Sequence, residues 1–155
     1  MRPAVLALAL LSTTGCGSES GPCTSGTSWD GGDEGSALMN PGEDCILCHE
    51  QGEGPTYDVA GTVFEVIDEP NDCYGAEGAT IRITGADSQA IELTSNAAGN
   101  FFHGAGGSTI VFPITATVVV STGENRMTTE QETGACNDCH TDIGSRGAPG
   151  RVTVP

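Results

Sequence analysis

Apolar and polar residues alternate through the middle of the chain. Ala79, Ile81 and Ile83 alternate with Thr80, Arg82 and Thr84, and Ile91 and Leu93 with Glu92 and Thr94. Ile114, Ala116, Val118 and Val120 alternate with Thr115, Thr117 and Ser121, with Val119 the exception. A period of two puts one face of each strand in a core and the other in water. Asn96-Ala-Ala-Gly99 is a turn signal between two of these strands. Short strands separated by turns over residues 57–121 predict a mainly β fold, a small antiparallel β-sandwich. Long amphipathic helical patterns are absent, so the flanking segments are expected to be short helices or irregular chain.

Composition narrows this picture. With 37% hydrophobic residues in 155, a modest core is affordable but a large catalytic body is not. The N-terminus reads as a targeting segment, with Met1-Arg2 as a positive start and Ala4 to Leu11 as an apolar run too short to span a bilayer. Residues 17–38 are rich in Gly, Ser, Thr, Asp and Glu and read as a flexible tether. Within it, Asp30-Gly-Gly-Asp-Glu-Gly35 lacks calcium-loop spacing. The expected organisation is a lipoprotein-type signal peptide over 1–15, a tether over 16–38, a first motif segment over 39–56, the sandwich over 57–121 and a second motif segment over 122–155.

The formal net charge is −16, and the chain has no lysine. Such a surface repels nucleic acid, which excludes that class of partner. It suits solubility outside the cell and steering toward a partner protein with a basic docking patch.

The chemistry lies in the cysteines. Seven occur, and four form two Cys-x-x-Cys pairs, each followed at once by histidine: Cys45-x-x-Cys48-His49 and Cys136-x-x-Cys139-His140. Only three histidines exist in the chain, so two falling at these positions is far from chance. Cys-x-x-Cys-His is the attachment signal for c-type haem. Two thiols a helical turn apart reach the two vinyl groups on one porphyrin edge, and the next imidazole lies beneath the iron. Two c-type haems are therefore expected, anchored by Cys45, Cys48, Cys136 and Cys139, with His49 and His140 as proximal ligands. The two sites are read as independent.

Candidate distal ligands are few: His103, Met39 and Met127. Each has a simpler account, His103 as a strand-end histidine and the methionines as apolar packing. Cys23 and Cys73 are left over, and in an exported chain a disulfide between them is expected. A thioredoxin-type motif would need a βαβ context, which is absent. The rival readings are a four-cysteine zinc clamp, structural disulfides in a surface binding module, and a haem enzyme acting on a small ligand such as peroxide.

Three resemblances add to this. Leu11-Ser-Thr-Thr-Gly-Cys16 resembles a bacterial lipobox, with Thr13 where leucine is usual. It implies export, lipidation of Cys16 and anchorage to a bacterial membrane, on the periplasmic or surface face of the outer membrane; without lipidation the chain would be periplasmic. Gly61-Thr-Val63, Gly78-Ala-Thr-Ile81 and Thr94 through Gly99-Asn-Phe101 resemble the carboxypeptidase-regulatory-like, or Cna-B-like, β-sandwich. That implies a binding or spacer module without chemistry of its own. The signal and the two motifs together resemble small bacterial dihaem c-type cytochrome lipoproteins, here with a sandwich inserted between the motifs. This implies an electron carrier rather than an enzyme.

Overall fold

The computed structural model describes residues 22–32, 35–104 and 110–155; the signal segment and Cys16 lie outside the described residues. The protein is mainly β, with two sheets packed as a small sandwich. One sheet has the order β4-β1-β7 and the other β3-β2-β5-β6. The strands are β1 (Tyr57–Phe64), β2 (Thr80–Thr84), β3 (Ala90–Thr94), β4 (Asn100–Gly104), β5 (Thr115–Val120), β6 (Gly123–Arg126) and β7 (Val152–Thr153). The two helices, α1 (Cys45–Cys48) and α2 (Cys136–Cys139), are single turns that coincide with the two cysteine pairs.

The alternation in the sequence sets the registers. β2 runs antiparallel between β3 and β5, with Ile81 opposite Leu93 and Val118, and Ile83 opposite Ile91 and Ala116. Ile81, Ile83 and Val118 are buried with Val59, Val63, Phe101 and Ile114 in one core. The polar partners Arg82 and Glu92 face water and form an exposed ion pair at 2.8 Å. Such a pair contributes little to stability. The β3–β4 connection turns at Gly99, whose φ of +80° is open to glycine at no steric cost. Asn96 Oδ1 accepts from the backbone N–H groups of Ala98 and Asn100 and closes the turn.

β1 departs from alternation, because residues 59–64 are all buried. Its one edge pairs with β4, while the other is filled piecewise by the C-terminal part of the chain. Ala60 N donates to Gly134 O at 3.0 Å, and further along β1 pairs with β7. The strands within residues 57–121 pair antiparallel, as expected, whereas this last pairing, to β7 beyond them, is parallel. The cause is connectivity: α2 and its loop separate β7 from β6, leaving room for the chain to return in the same direction as β1.

The second motif segment is thus part of the fold. β6 and β7 both fall within residues 122–155 and complete one sheet each. The expected tether is also fastened over its described part. Cys23 and Cys73 form a disulfide with Cα atoms 5.5 Å apart. The buried Glu69 carboxylate accepts from Thr24 N at 2.7 Å and Ser25 N at 3.3 Å, and Trp29 N donates to Asp72 O. A polar composition reads as tether only while nothing pairs with its backbone, and here a cystine and a buried carboxylate do.

Asp72 is 8% exposed and adopts the left-handed region, with φ of 61°. Burial, and then the charge of Glu43, hold its carboxyl above the ordinary carboxylate range. The folded chain therefore keeps this proton more tightly than the unfolded chain. Stability falls as pH rises from the ordinary carboxylate pKa through the raised one. Asp72→Asn tolerates the same backbone conformation. It is expected to raise the melting temperature by a few degrees at neutral pH, with the gain vanishing in acid below the ordinary carboxylate range. Melting curves of both proteins across pH check this.

Candidate functional site

Both cysteine–histidine motifs pack against β1. The first begins where Asp44 caps α1, its carboxylate accepting from Leu47 N at 3.1 Å. The Asn40-Pro41-Gly-Glu-Asp44 stretch so acts as a helix start. Beyond His49 the chain continues as a wide helical turn, His49–Glu53, broken at Gly52 with φ of +94°. The second motif begins at Ala135, whose bridge to Ala60 places α2 beside the same strand.

The histidines have matching surroundings. His49 Nδ1 lies 2.7 Å from Pro55 O, and His140 Nδ1 lies 2.8 Å from Gly150 O. A carbonyl oxygen only accepts, so each Nδ1 is the donor, and in the neutral ring Nε2 is then the nitrogen with the lone pair. A backbone acceptor on the far nitrogen is the usual way a metal-ligating imidazole is oriented and made more basic. His49 also packs at a tilt against Tyr57, 4.7 Å between ring centroids, and Tyr57 against Phe102 at 4.9 Å.

The second motif opens on a cavity of about 480 Å³, within the size range of cofactor sites. Cys136, Cys139 and His140 line one side of it. Ile81, Phe101, Ile114 and Val118 line the other, so the cavity is an open end of the sandwich core. Arg126 and Arg146, both exposed, also line it. They are two of only five cations in the chain, and Arg146 is paired with Asp138 at 2.5 Å. Met127 lines the same cavity, whereas Met39 and His103 do not. His103 stands on β4 with its side chain 13% exposed and Nδ1 3.7 Å from Asp58 Oδ2, beyond hydrogen-bond reach.

Gly61 explains how α2 comes so close. A Cβ there would lie 2.8 Å from Cys136 Cβ and 2.9 Å from the Phe101 ring. Only a glycine in β1 lets the helix and the aromatic ring meet over it.

The thiols differ in state. Cys45, Cys136 and Cys139 are free. Burial pushes the Cys136 thiol up to about 12, with Cys45, Cys139 and Asp44 adding to the effect. Burial likewise pushes Cys45 up to about 11. Such thiols are protonated and inert as nucleophiles at neutral pH, which does not suit a thioredoxin-type cycle. Cys48 is disulfide-bonded, and a thioether at Cys48 requires that bond to be open. Among the described residues, the His/Cys/Asp/Glu trio whose ligand atoms lie within 4.8 Å of one another is Cys23, Glu69 and Cys73, and its two sulfurs are joined to each other.

Several site residues carry no sequence signal. Asn137 occupies an unrestricted position inside the second motif, yet it is 4% exposed and binds both β1 and the loop before α1. Arg151 is 3% exposed and donates to Gly42 O and His140 O. Its setting in a lysine-free chain was the one available hint.

The fold and site together define a small β-sandwich carrying two histidine-tipped cysteine turns. No family model matches the sequence, and comparisons with curated proteins and with solved structures give no match. No helix among the described residues is long and apolar enough to cross a membrane.

Proposed function

We propose that this chain is an exported electron-transfer protein that holds two c-type haems covalently, one at Cys45, Cys48 and His49 and one at Cys136, Cys139 and His140. The observation that carries this is the shared state of the two motif histidines. In each, Nδ1 faces a backbone carbonyl within hydrogen-bond distance, which leaves Nε2 as the nitrogen that could ligate. Both histidines are only half-buried, and each follows a cysteine pair directly and meets a backbone carbonyl in the same way.

The residues of the second motif fit the group. Cys136 and Cys139 supply two free thiols one turn apart, His140 supplies the imidazole, and the cavity beside them is lined by Ile81, Phe101, Ile114 and Val118, with Arg126 at hand for a carboxylate. The first motif fits once Cys48 is reduced. When bound, the haem supplies a one-electron ferric/ferrous couple, accepting an electron from a reduced partner protein and passing it to an oxidised one. The chain's part is to fix the porphyrin edge, orient the imidazole, exclude water and present an acidic exterior to a basic partner. Lipid anchorage at Cys16 belongs to the same proposal.

The test is expression in a host with c-type haem maturation, followed by a pyridine haemochrome spectrum and an intact mass. Two covalent haems are expected. Material matured without reduction of the Cys48 disulfide is expected to carry one, mapped by peptide mass to Cys136 and Cys139. His140→Ala should alter the spectrum of the haem at the second motif. Colourless, iron-free protein, or protein holding zinc alone, would end the proposal.

A further inference from the structure

Asn137 stands between the two cysteines of the second motif, and its side chain does the work of a missing strand. Along the free edge of β1, Ala60 N pairs with Gly134 O, and Phe64 O accepts from Val154 N at 3.1 Å. Between them, α2 leaves Thr62 N without a backbone partner. Asn137 Oδ1 fills that place, accepting from Thr62 N at 3.1 Å. Its Nδ2 then donates at 2.7 Å to Glu43 O, two residues before Cys45.

The connection spreads on the side of the first motif. Thr62 Oγ1 accepts from Gly42 N at 2.9 Å and donates to Asn100 Oδ1 at 2.8 Å. Asn100 Nδ2 donates to Met39 O at 2.9 Å. Thr62, Asn100 and Asn137 are 0%, 6% and 4% exposed. In so dry a setting each bond is costly to break, and the three side chains behave as one unit.

The geometry points to Asn137 as a positioning residue for the first motif, so that the two cysteine–histidine turns form one coupled unit rather than two independent sites. The coupling is a contact between residues 94 apart in sequence, carried by a hydrogen bond that needs the amide nitrogen. The consequence for haem properties rests on the proposed function; the linkage itself does not.

Asn137→Asp separates the two bonds. A carboxylate still accepts from Thr62 N, but it turns an acceptor toward Glu43 O and Thr62 Oγ1, to both of which Nδ2 donates in the wild type. In the full-length chain without haem, Cys45 alkylation by iodoacetamide, read by peptide mass, is expected to rise roughly tenfold as the loop before α1 opens. Unchanged Cys45 reactivity in a folded Asn137→Asp protein, with only Cys136 and Cys139 affected, overturns the inference. Should that variant fail to fold, native-state hydrogen exchange on the wild-type chain decides. The Leu47 and His140 amides are expected to exchange through a common opening with the same denaturant dependence. Separate openings refute the coupling. If haem attaches, the variant should also shift the midpoint potential at the first motif. Failure of haem to attach removes the proposed function but leaves the alkylation and exchange results standing.

Discussion

The double substitution Cys23→Ser and Cys73→Ser is expected to destabilise the protein by about 4 kcal/mol. The cystine closes a loop of 50 residues, and the chain-entropy model assigns that much to a loop of this length. The native contacts around it are ordinary: an antiparallel bridge between Ser28 and Cys73 and the short bonds of Thr24 and Ser25 to Glu69. For a domain whose whole stability is about 5–15 kcal/mol, this is a large fraction. Urea unfolding of the two proteins checks it through the midpoint at constant slope. The Thr24 and Trp29 amides should lose exchange protection first, because their acceptors are held near them by the cystine. An unchanged midpoint would mean that residues 22–32 are held by other contacts.

Arg151→Met is expected to cost roughly 3–5 kcal/mol. The guanidinium is 3% exposed and donates to three main-chain carbonyls, Glu69 O at 2.7 Å, Gly42 O at 3.1 Å and His140 O at 3.4 Å. It also bonds the Asn71 side chain and lies 5.1 Å from the centre of the Phe64 ring. Burial pulls its pKa below the ordinary value, while Asp142, Glu43 and Glu69 oppose that pull. Arginine still remains charged under any physiological condition. Methionine fills similar volume but leaves those carbonyls unpaired in a dry environment. Arg151→Lys should restore little, since one ammonium cannot reproduce a planar fork aimed at four acceptors. Equal urea midpoints for Arg151→Lys and wild type would contradict this.

These two residues bear on how the motifs are held. Arg151 joins Gly42, just before the first motif, to His140 at the end of the second. Asn137 joins the same two regions from the other side of β1. Both routes meet at residues 42 and 43, and the Gly42 position tolerates no side chain easily. A Cβ there would lie 3.1 Å from Asn71 Oδ1 and 3.2 Å from Arg151 Nη1, on a backbone with φ of +91°.

The local rules were legible from the residues alone. A period of two marked β2, β3 and β5, because strand geometry sends alternate side chains to opposite faces whatever else the chain does. Asn96 and Gly99 marked the turn before β4 through their own backbone chemistry. The cysteine and histidine spacing marked both motifs, since two residues between cysteines is one helical turn, as α1 and α2 are. What depended on distant partners was not legible. β1 is buried on both faces because the motif segments cover it, so its pattern does not alternate. β7 pairs in parallel because of where α2 returns the chain. Part of the expected tether is bound because Glu69 and Cys73 happen to lie beneath it. The cavity that Met127 lines, and that Met39 and His103 do not, and the carbonyl partners of His49 and His140 arise only once Gly150, Pro55 and the open core end are in place. Sequence determines what each short segment prefers; tertiary structure alone decides which segments meet, because hydrogen-bond partners and burial are properties of pairs far apart in the chain.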